Sequence, residues 1–143
     1  MRQSLLIYLC FSLLGHFSFS QVQIRADTVS INCTSTVDVP IRVNNYVDMI
    51  SMQGTIHWDP AVLTFNSVVD YGPASINLTN SNFGFGSTGI GDLLFSWNDP
   101  TLVGKSLTDS TIIFTLRFEV FGSGSFITPV SFENTPATLE FVD

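Results

Sequence analysis

Residues 51–68 read SMQGTIHWDPAVLTFNSV, two alternating runs joined by a corner. Met52, Gly54, Ile56 and Trp58 fall on one side at a period of two, and Gln53, Thr55 and His57 on the other. That alternation marks a strand with one buried face. Asp59-Pro60 stops it, because Pro60 has no N–H for a ladder and disfavours helical backbone at the residue before it. Leu63 and Phe65 resume the alternation, with Ser67 next in phase. The stretch predicts two strands with an apolar inner side, a polar outer row and an Asp-Pro corner between them. Nothing in it resembles a catalytic site.

The same period recurs outward from there. Val22 to Ile31 reads as a first strand. In Val37 to Val43, Val37, Val39, Ile41 and Val43 share a face opposite Asp38, Pro40 and Arg42. Pro40 predicts an edge, or a solvent-facing position for its missing N–H. Phe83 to Gly86 reads as a short strand, and Leu93, Phe95 and Trp97 alternate with Leu94, Ser96 and Asn98. The longest strand is Thr111 to Val120, with Phe114, Leu116, Phe118 and Val120 inward and Ile113, Thr115, Arg117 and Glu119 outward. Val130 to Phe132 and Thr138 to Val142 close the series. Turn signals stand between these runs, among them Asn44-Asn45, Tyr71-Gly72-Pro73 and Asn98-Asp99-Pro100. No helical periodicity runs through the chain after the leader. Short strands with turn signals at roughly ten-residue intervals predict an all-β sandwich or barrel. Trp58 and Trp97 lie on the sides of Ile56 and Phe95, which puts both in the core.

The first twenty residues read as a signal peptide. Arg2 gives a basic start, Leu5 to Leu14 is an apolar run too short to span a bilayer, and Ser18-Phe19-Ser20 offers small residues for cleavage. Removing residues 1–20 leaves 123 of the 143, one domain's length, at 21–143. The expected address is extracellular or cell-surface, with no membrane span after cleavage. The formal net charge of −7 becomes −8 without Arg2, which excludes a nucleic-acid binder with its basic stripe. Only Cys33 remains after cleavage, so no internal disulfide can form and the fold must rest on its apolar core. The chain ends directly after a strand, and further domains are expected beyond Asp143.

Enzymatic chemistry has little to stand on, and the chain is expected not to be an enzyme. His57 is the one histidine after the leader and has no candidate nucleophile nearby in sequence. Asp59 and Asp99 precede prolines and read as turn formers rather than as a glycosidase pair. One His and one Cys cannot make a zinc site, and no EF-hand spacing occurs, although Asp92, Asp99 and Asp109 could converge on folding. Gly84, Gly86, Gly89 and Gly91 precede no helix, so they do not make a phosphate loop. Asn32-Cys33-Thr34 and Asn77-Leu78-Thr79 match the glycosylation sequon.

Five segments in order carry a resemblance. They are VDVPIRVNN (Val37–Asn45), SMQGTIHWDPAVLTFNSV (Ser51–Val68), GDLLFSWND (Gly91–Asp99), IIFTLRFEV (Ile112–Val120) and FITPVSFEN (Phe126–Asn134). Together they resemble a cohesin domain, the receptor module of cellulosome scaffolds. Two features depart from that pattern: Gly54 stands where the family has a large inward residue, and residues 72–82 match nothing in it. The resemblance implies a nine-stranded jelly-roll sandwich of two antiparallel sheets. It also implies a partner, a dockerin-like module, with calcium on that partner and no cofactor on this chain. The module would assemble or display polysaccharide-degrading enzymes.

The family's binding face would here take in Gln53–Trp58, Phe83–Gly86, Leu93–Trp97 and Thr111–Val120. Its outward residues would be Gln53, Thr55, His57, Leu94, Ser96, Ile113, Thr115 and Arg117. Leu94 and Ile113 would be apolar anchors in a polar surface. Two other readings stay open: direct polysaccharide binding, which calls for a row of exposed aromatics, and an adhesive or spacer role.

Overall fold

The computed structural model describes residues 21–29, 36–120 and 128–143; the leader, Cys33 with its sequon, and the Gly122–Gly124 turn lie outside them. Among the described residues nine strands follow one another: β1 Gln23–Ala26, β2 Thr36–Asn44, β3 Ser51–His57, β4 Leu63–Val68, β5 Phe83–Gly84, β6 Asp92–Asn98, β7 Thr111–Val120, β8 Ser131–Glu133 and β9 Glu140–Val142. They form two antiparallel sheets. One has the order β1-β2-β7-β4; the other has β5-β6-β3, with β8 and β9 both pairing to β3. This is the all-β sandwich of two sheets that the alternation and the resemblance imply. Among the described residues no helix is long and apolar enough to cross a membrane.

The Asp59-Pro60 corner joins the layers, since β3 lies in the five-stranded sheet and β4 in the four-stranded one. Asp59 builds the corner: its carbonyl accepts from the Val62 and Leu63 amides at 3.1 and 3.0 Å, and its carboxylate from the Ala61 amide at 2.9 Å. The Trp58 amide donates to the Gly91 carbonyl at 3.0 Å. Gly91 itself has φ +92°, and a Cβ there would run into the Trp58 carbonyl. Only glycine meets both demands without strain.

Trp58, as placed from the sequence, is fully buried, and Trp97 nearly so. The Trp58 ring stacks on Phe65 with centroids 5.9 Å apart and meets Phe118 edge-on at 5.1 Å. An aromatic of the five-stranded sheet thus locks onto two strands of the other, and each such buried side chain contributes about 1.5–3 kcal/mol. Gly54 also faces this interior. A Cβ there would lie 3.0 Å from Leu139 Cδ1 and from the Phe95 ring, so the space a larger residue would take is filled by Leu139, from the β8–β9 connection.

Strict alternation fails at two bulges. The β2–β7 register slips between Ile41 and Arg42, leaving Ile113 without an opposite residue. The β4–β7 register slips between Phe65 and Ser67, leaving Asn66 unmatched. An extra residue reverses the in–out phase beyond it. As a result Val68 is buried, not Ser67, and Ile113 is fully buried instead of outward. Pro40 sits inside β2, with β7 along one side. Its carbonyl accepts the Asp27 amide at 2.9 Å, so its N–H side faces β1, where β1 has already ended at Ala26. The missing donor therefore removes nothing from the β2–β7 ladder.

Candidate partner-binding face

The outer face of the five-stranded sheet follows from the register of β3. Ser96, Leu94 and Asp92 on β6 lie opposite Gln53, Thr55 and His57. On the other side of β3, Glu140 lies opposite Gln53, Glu133 opposite Thr55, and Ser131 opposite His57. Gly84 on β5 lies opposite Leu94. Directly opposed residues of an antiparallel pair share a face. The exposed surface is therefore a grid of polar side chains and carboxylates, with Leu94 beside a bare glycine and Val142, opposite Ser51, as a second apolar side chain at its β9 end. It carries no Trp, Tyr or Phe, since Phe95, Trp97, Phe132 and Phe141 occupy the opposite phase.

An excursion in the chain makes the centre of this face. An uninterrupted strand would place one residue between the partners of Thr55 and Gln53; here residues 134–139 intervene between Glu133 and Glu140. Asn134 closes the loop, its side-chain oxygen accepting from the Leu139 amide at 3.4 Å. Ala137 comes to rest on Thr55. The Ala137 amide donates to Thr55 Oγ1 at 2.9 Å, and the same hydroxyl donates to the Ala137 carbonyl at 2.9 Å. Thr55 is 0% exposed as a result, although its strand phase points it outward. The expectation of an open Thr55 is corrected: its hydroxyl is consumed holding the floor of the face.

Around that floor the polar groups are tied to one another. His57 Nδ1 lies 2.7 Å from Asp92 Oδ1. An ionised carboxylate only accepts, so this contact places the proton on Nδ1 and leaves Nε2 as the ring's outward-bonding atom. Gln53 Nε2 donates to Glu140 Oε2 at 3.2 Å, and Ser131 Oγ to Glu133 Oε1 at 3.1 Å. None of the five Lys and Arg residues falls in β3, β5, β6, β8 or β9.

The structure brings Gln53, His57, Leu94 and Ser96 together on this face. It does not bring Ile113, Thr115 and Arg117 there, because β7 is the third strand of the other sheet. Ile113 and Thr115 are also buried, at 0% and 7% exposure. Arg117 faces outward on the far side, where its Nε and Nη2 each donate to Asp38 at 2.7 Å. Placing Thr111–Val120 on the docking face is therefore a correction: period-two phase says which side of a strand is inward, not which sheet the strand joins. Sequence reasoning did not place Asp92, Glu133 or Glu140 on this face. Their signal was available only through register, as acids on strands that flank β3.

The remaining acids are engaged elsewhere. Asp109 accepts from the Asn45 amide at 2.8 Å. Asp99 is fully buried and accepts from the Thr101 amide at 3.1 Å, the Thr101 hydroxyl at 2.8 Å and the Gly104 amide at 3.1 Å. Burial pushes its carboxyl up, but those bonds, with Lys105 at 3.7 Å, outweigh it and hold the carboxyl below its ordinary value. Asp92, Asp99 and Asp109 do not converge, and among the described residues no three His, Cys, Asp or Glu gather as a metal site would require.

Comparison with known proteins agrees with this fold. The family model described as "Cohesin domain" matches residues 21–140. No curated protein matches the chain. Among solved structures, a complex of CaDoc0917 with CaCohA2, the latter from Clostridium acetobutylicum, matches with TM-score 0.66 at 21% identity, covering 86% of this chain and 87% of that one. The Coh-OlpA–Doc918 complex, a type I cohesin–dockerin complex from Clostridium thermocellum, matches with TM-score 0.65 at 18% identity, covering 80% and 82%. The sixth cohesin of scaffoldin B from Acetivibrio cellulolyticus, in complex with the Cel5 dockerin, matches with TM-score 0.60 at 19% identity, covering 84% and 91%.

Proposed function

This chain belongs to the cohesin domain family, and from that premise we propose that it is a protein-binding module that receives a calcium-loaded dockerin-like module on the outer face of its five-stranded sheet. The calcium would belong to the partner. Under this reading docking itself involves no chemistry: the chain holds, and its partner's enzyme acts on polysaccharide. Residues 1–20 would direct export, and residues 21–143 would form the module outside the cell or on its surface.

The observation that carries the reading is the face itself. It is broad, formed by five strands, and rich in polar groups already oriented by one another, with Leu94 as an apolar spot beside Gly84. An apolar anchor set among fixed polar groups is the usual build of a recognition surface. Gln53, His57, Leu94 and Ser96 would make the contact, joined by Asp92, Glu133 and Glu140. Thr55 would support from below. Ile113, Thr115 and Arg117 would take no part. The inward turn of the aromatics supports protein over sugar, since stacking on sugar rings needs exposed rings.

Capture tests this directly. The chain from Gln21 onward, immobilised, is exposed to a panel of dockerin modules with calcium and after chelation. Calcium-dependent retention of at least one module is expected. Failure to retain any module in either state would overturn the reading.

A further inference from the structure

The connection between β4 and β5 is this chain's own. Residues 72–82 follow no part of the pattern that carries the resemblance, and they hold the sequon Asn77-Leu78-Thr79. The docking proposed above leaves that motif without a use.

The loop closes one side of the sandwich. Gly72, at φ +65°, lies so close to β7 that a Cβ there would meet the Ile113 and Ile112 carbonyls. Further on, the indole of Trp97, on β6 in the other sheet, donates to the Ile76 carbonyl. Ile76 and Leu78 are both buried, and between them Asn77 is exposed. Asn77 has φ +47°, in the left-handed region that asparagine tolerates better than most side chains. Beyond it the chain is tied to itself and to β6. The Thr79 amide donates to Asn82 Oδ1 at 2.9 Å, Asn82 Nδ2 donates to the Ser96 carbonyl at 2.9 Å, and the Thr79 hydroxyl meets Ser81 Oγ at 2.8 Å. None of these bonds uses the Asn77 side chain.

We infer that Asn77 is an N-glycan acceptor, modified during export and before the domain folds. The donor is an oligosaccharide carried on a lipid diphosphate. Asn77 Nδ2 bonds to the anomeric carbon of the sugar and gives up one proton. The bond from that carbon to the diphosphate oxygen breaks, and the lipid diphosphate leaves with the electron pair. Burial sets the order of events. An enzyme that reads Asn-Leu-Thr must hold the whole motif. In the folded chain Leu78 is in the core and the Ile76 carbonyl is held by Trp97, so the motif is released only if the loop opens. Once the fold has closed, an exposed Asn77 carries a bulky, solubilising sugar without displacing a buried side chain. The inference rests on the export proposed above and not on docking.

The chain from Gln21 onward, with Asn32→Gln so that one sequon remains, is given to a purified oligosaccharyltransferase with a lipid-linked oligosaccharide. It is offered folded, and also as Trp58→Asp with Phe118→Asp, whose two core charges should leave it unfolded by circular dichroism. Glycosidase release leaves an aspartate at the acceptor, which peptide mass locates. The unfolded chain is expected to be modified at Asn77, to keep the modification in Thr79→Ser and to lose it in Thr79→Ala. The folded chain should react at least about 10-fold more slowly, because it must open first. An unmodified Asn77 in the unfolded chain, or equal rates in the two, would overturn the inference. In parallel the full chain, leader included, is expressed in a eukaryotic secretory host. Secreted chain bearing the glycan at Asn77 is expected. Secreted chain unmodified there would overturn the inference and leave export standing. Chain kept inside the cells would remove the export reading and the inference with it.

Discussion

On the four-stranded sheet Arg117 grips Asp38 through two bonds of 2.7 Å, and Asp27 takes Arg42 at 2.6 Å and Arg25 at 3.9 Å. On the five-stranded sheet Glu133 and Glu140 have only a serine and a glutamine, and Asp92 has a histidine. Both surfaces come from the same kind of strand, polar residues alternating with a buried row. One settles its charges internally; the other leaves them oriented and outstanding. A partner approaching the first must break ion pairs before making its own. A partner approaching the second finds carboxylates already in place, so little ordering cost falls on binding. The contrast lies in where three arginines fall, Arg25, Arg42 and Arg117, all on the four-stranded sheet, and it separates the two faces more sharply than polarity does.

The strongest blow to that contrast would come from Leu94→Asp, which puts a charge at the apolar spot beside Gly84 on the proposed docking face. Capture of a dockerin module should weaken by about 100-fold or more, about 2.7 kcal/mol, with the melting temperature nearly unchanged. Retention of full affinity in a calorimetric titration would show the face to be misassigned. Thr55→Val probes the floor instead. It leaves the Ala137 amide and carbonyl without the hydroxyl that serves both, and should cost about 1–3 kcal/mol in urea unfolding.

The settled face should announce itself through acid. The hydrogen bonds from Arg117, opposed by burial and aided by its charge, hold the Asp38 carboxyl below its ordinary 3.8. A lowered carboxyl stabilises the fold above its unfolded value, and that contribution fades as pH falls through the folded one. Asp38→Asn should therefore unfold with a shallower dependence on pH below about 4 than the parent chain, followed by circular dichroism during acid titration. The effect should be small, because both partners are more than two-fifths exposed. Smallest of all is the effect of Arg117→Glu on docking. It disrupts a pair on the far sheet, and affinity for a dockerin module should stay within about twofold. A larger loss would mean that the two faces are not independent.

Much of this was legible in residue order. Alternation located the strands around Ile56, Phe95 and Phe114, because burial on one face of a sheet imposes a period of two on residue order, and Pro60 marked the corner after Asp59. The same rule misled at Ile113, where a bulge inserts one residue and buries a side chain that the count had turned outward. It misled again at Thr55. A side chain in outward phase can still be covered, and the covering comes from Ala137, 82 residues further on.

Four members of the expected face, Gln53, His57, Leu94 and Ser96, do lie together on the outer side of one sheet, because β3 and β6 pair along their length. Arg117 does not join them, and no local pattern could have said so.

The chain's own order was enough to determine an all-β domain and a core built on Trp58 and Trp97. These follow from residue chemistry acting over a few neighbours. Tertiary structure alone decided which strands share a sheet, which polar side chain is roofed over, and which acids are left without a cation. Those outcomes depend on pairings between residues far apart in sequence, where a shift of one position turns an entire row from one face to the other.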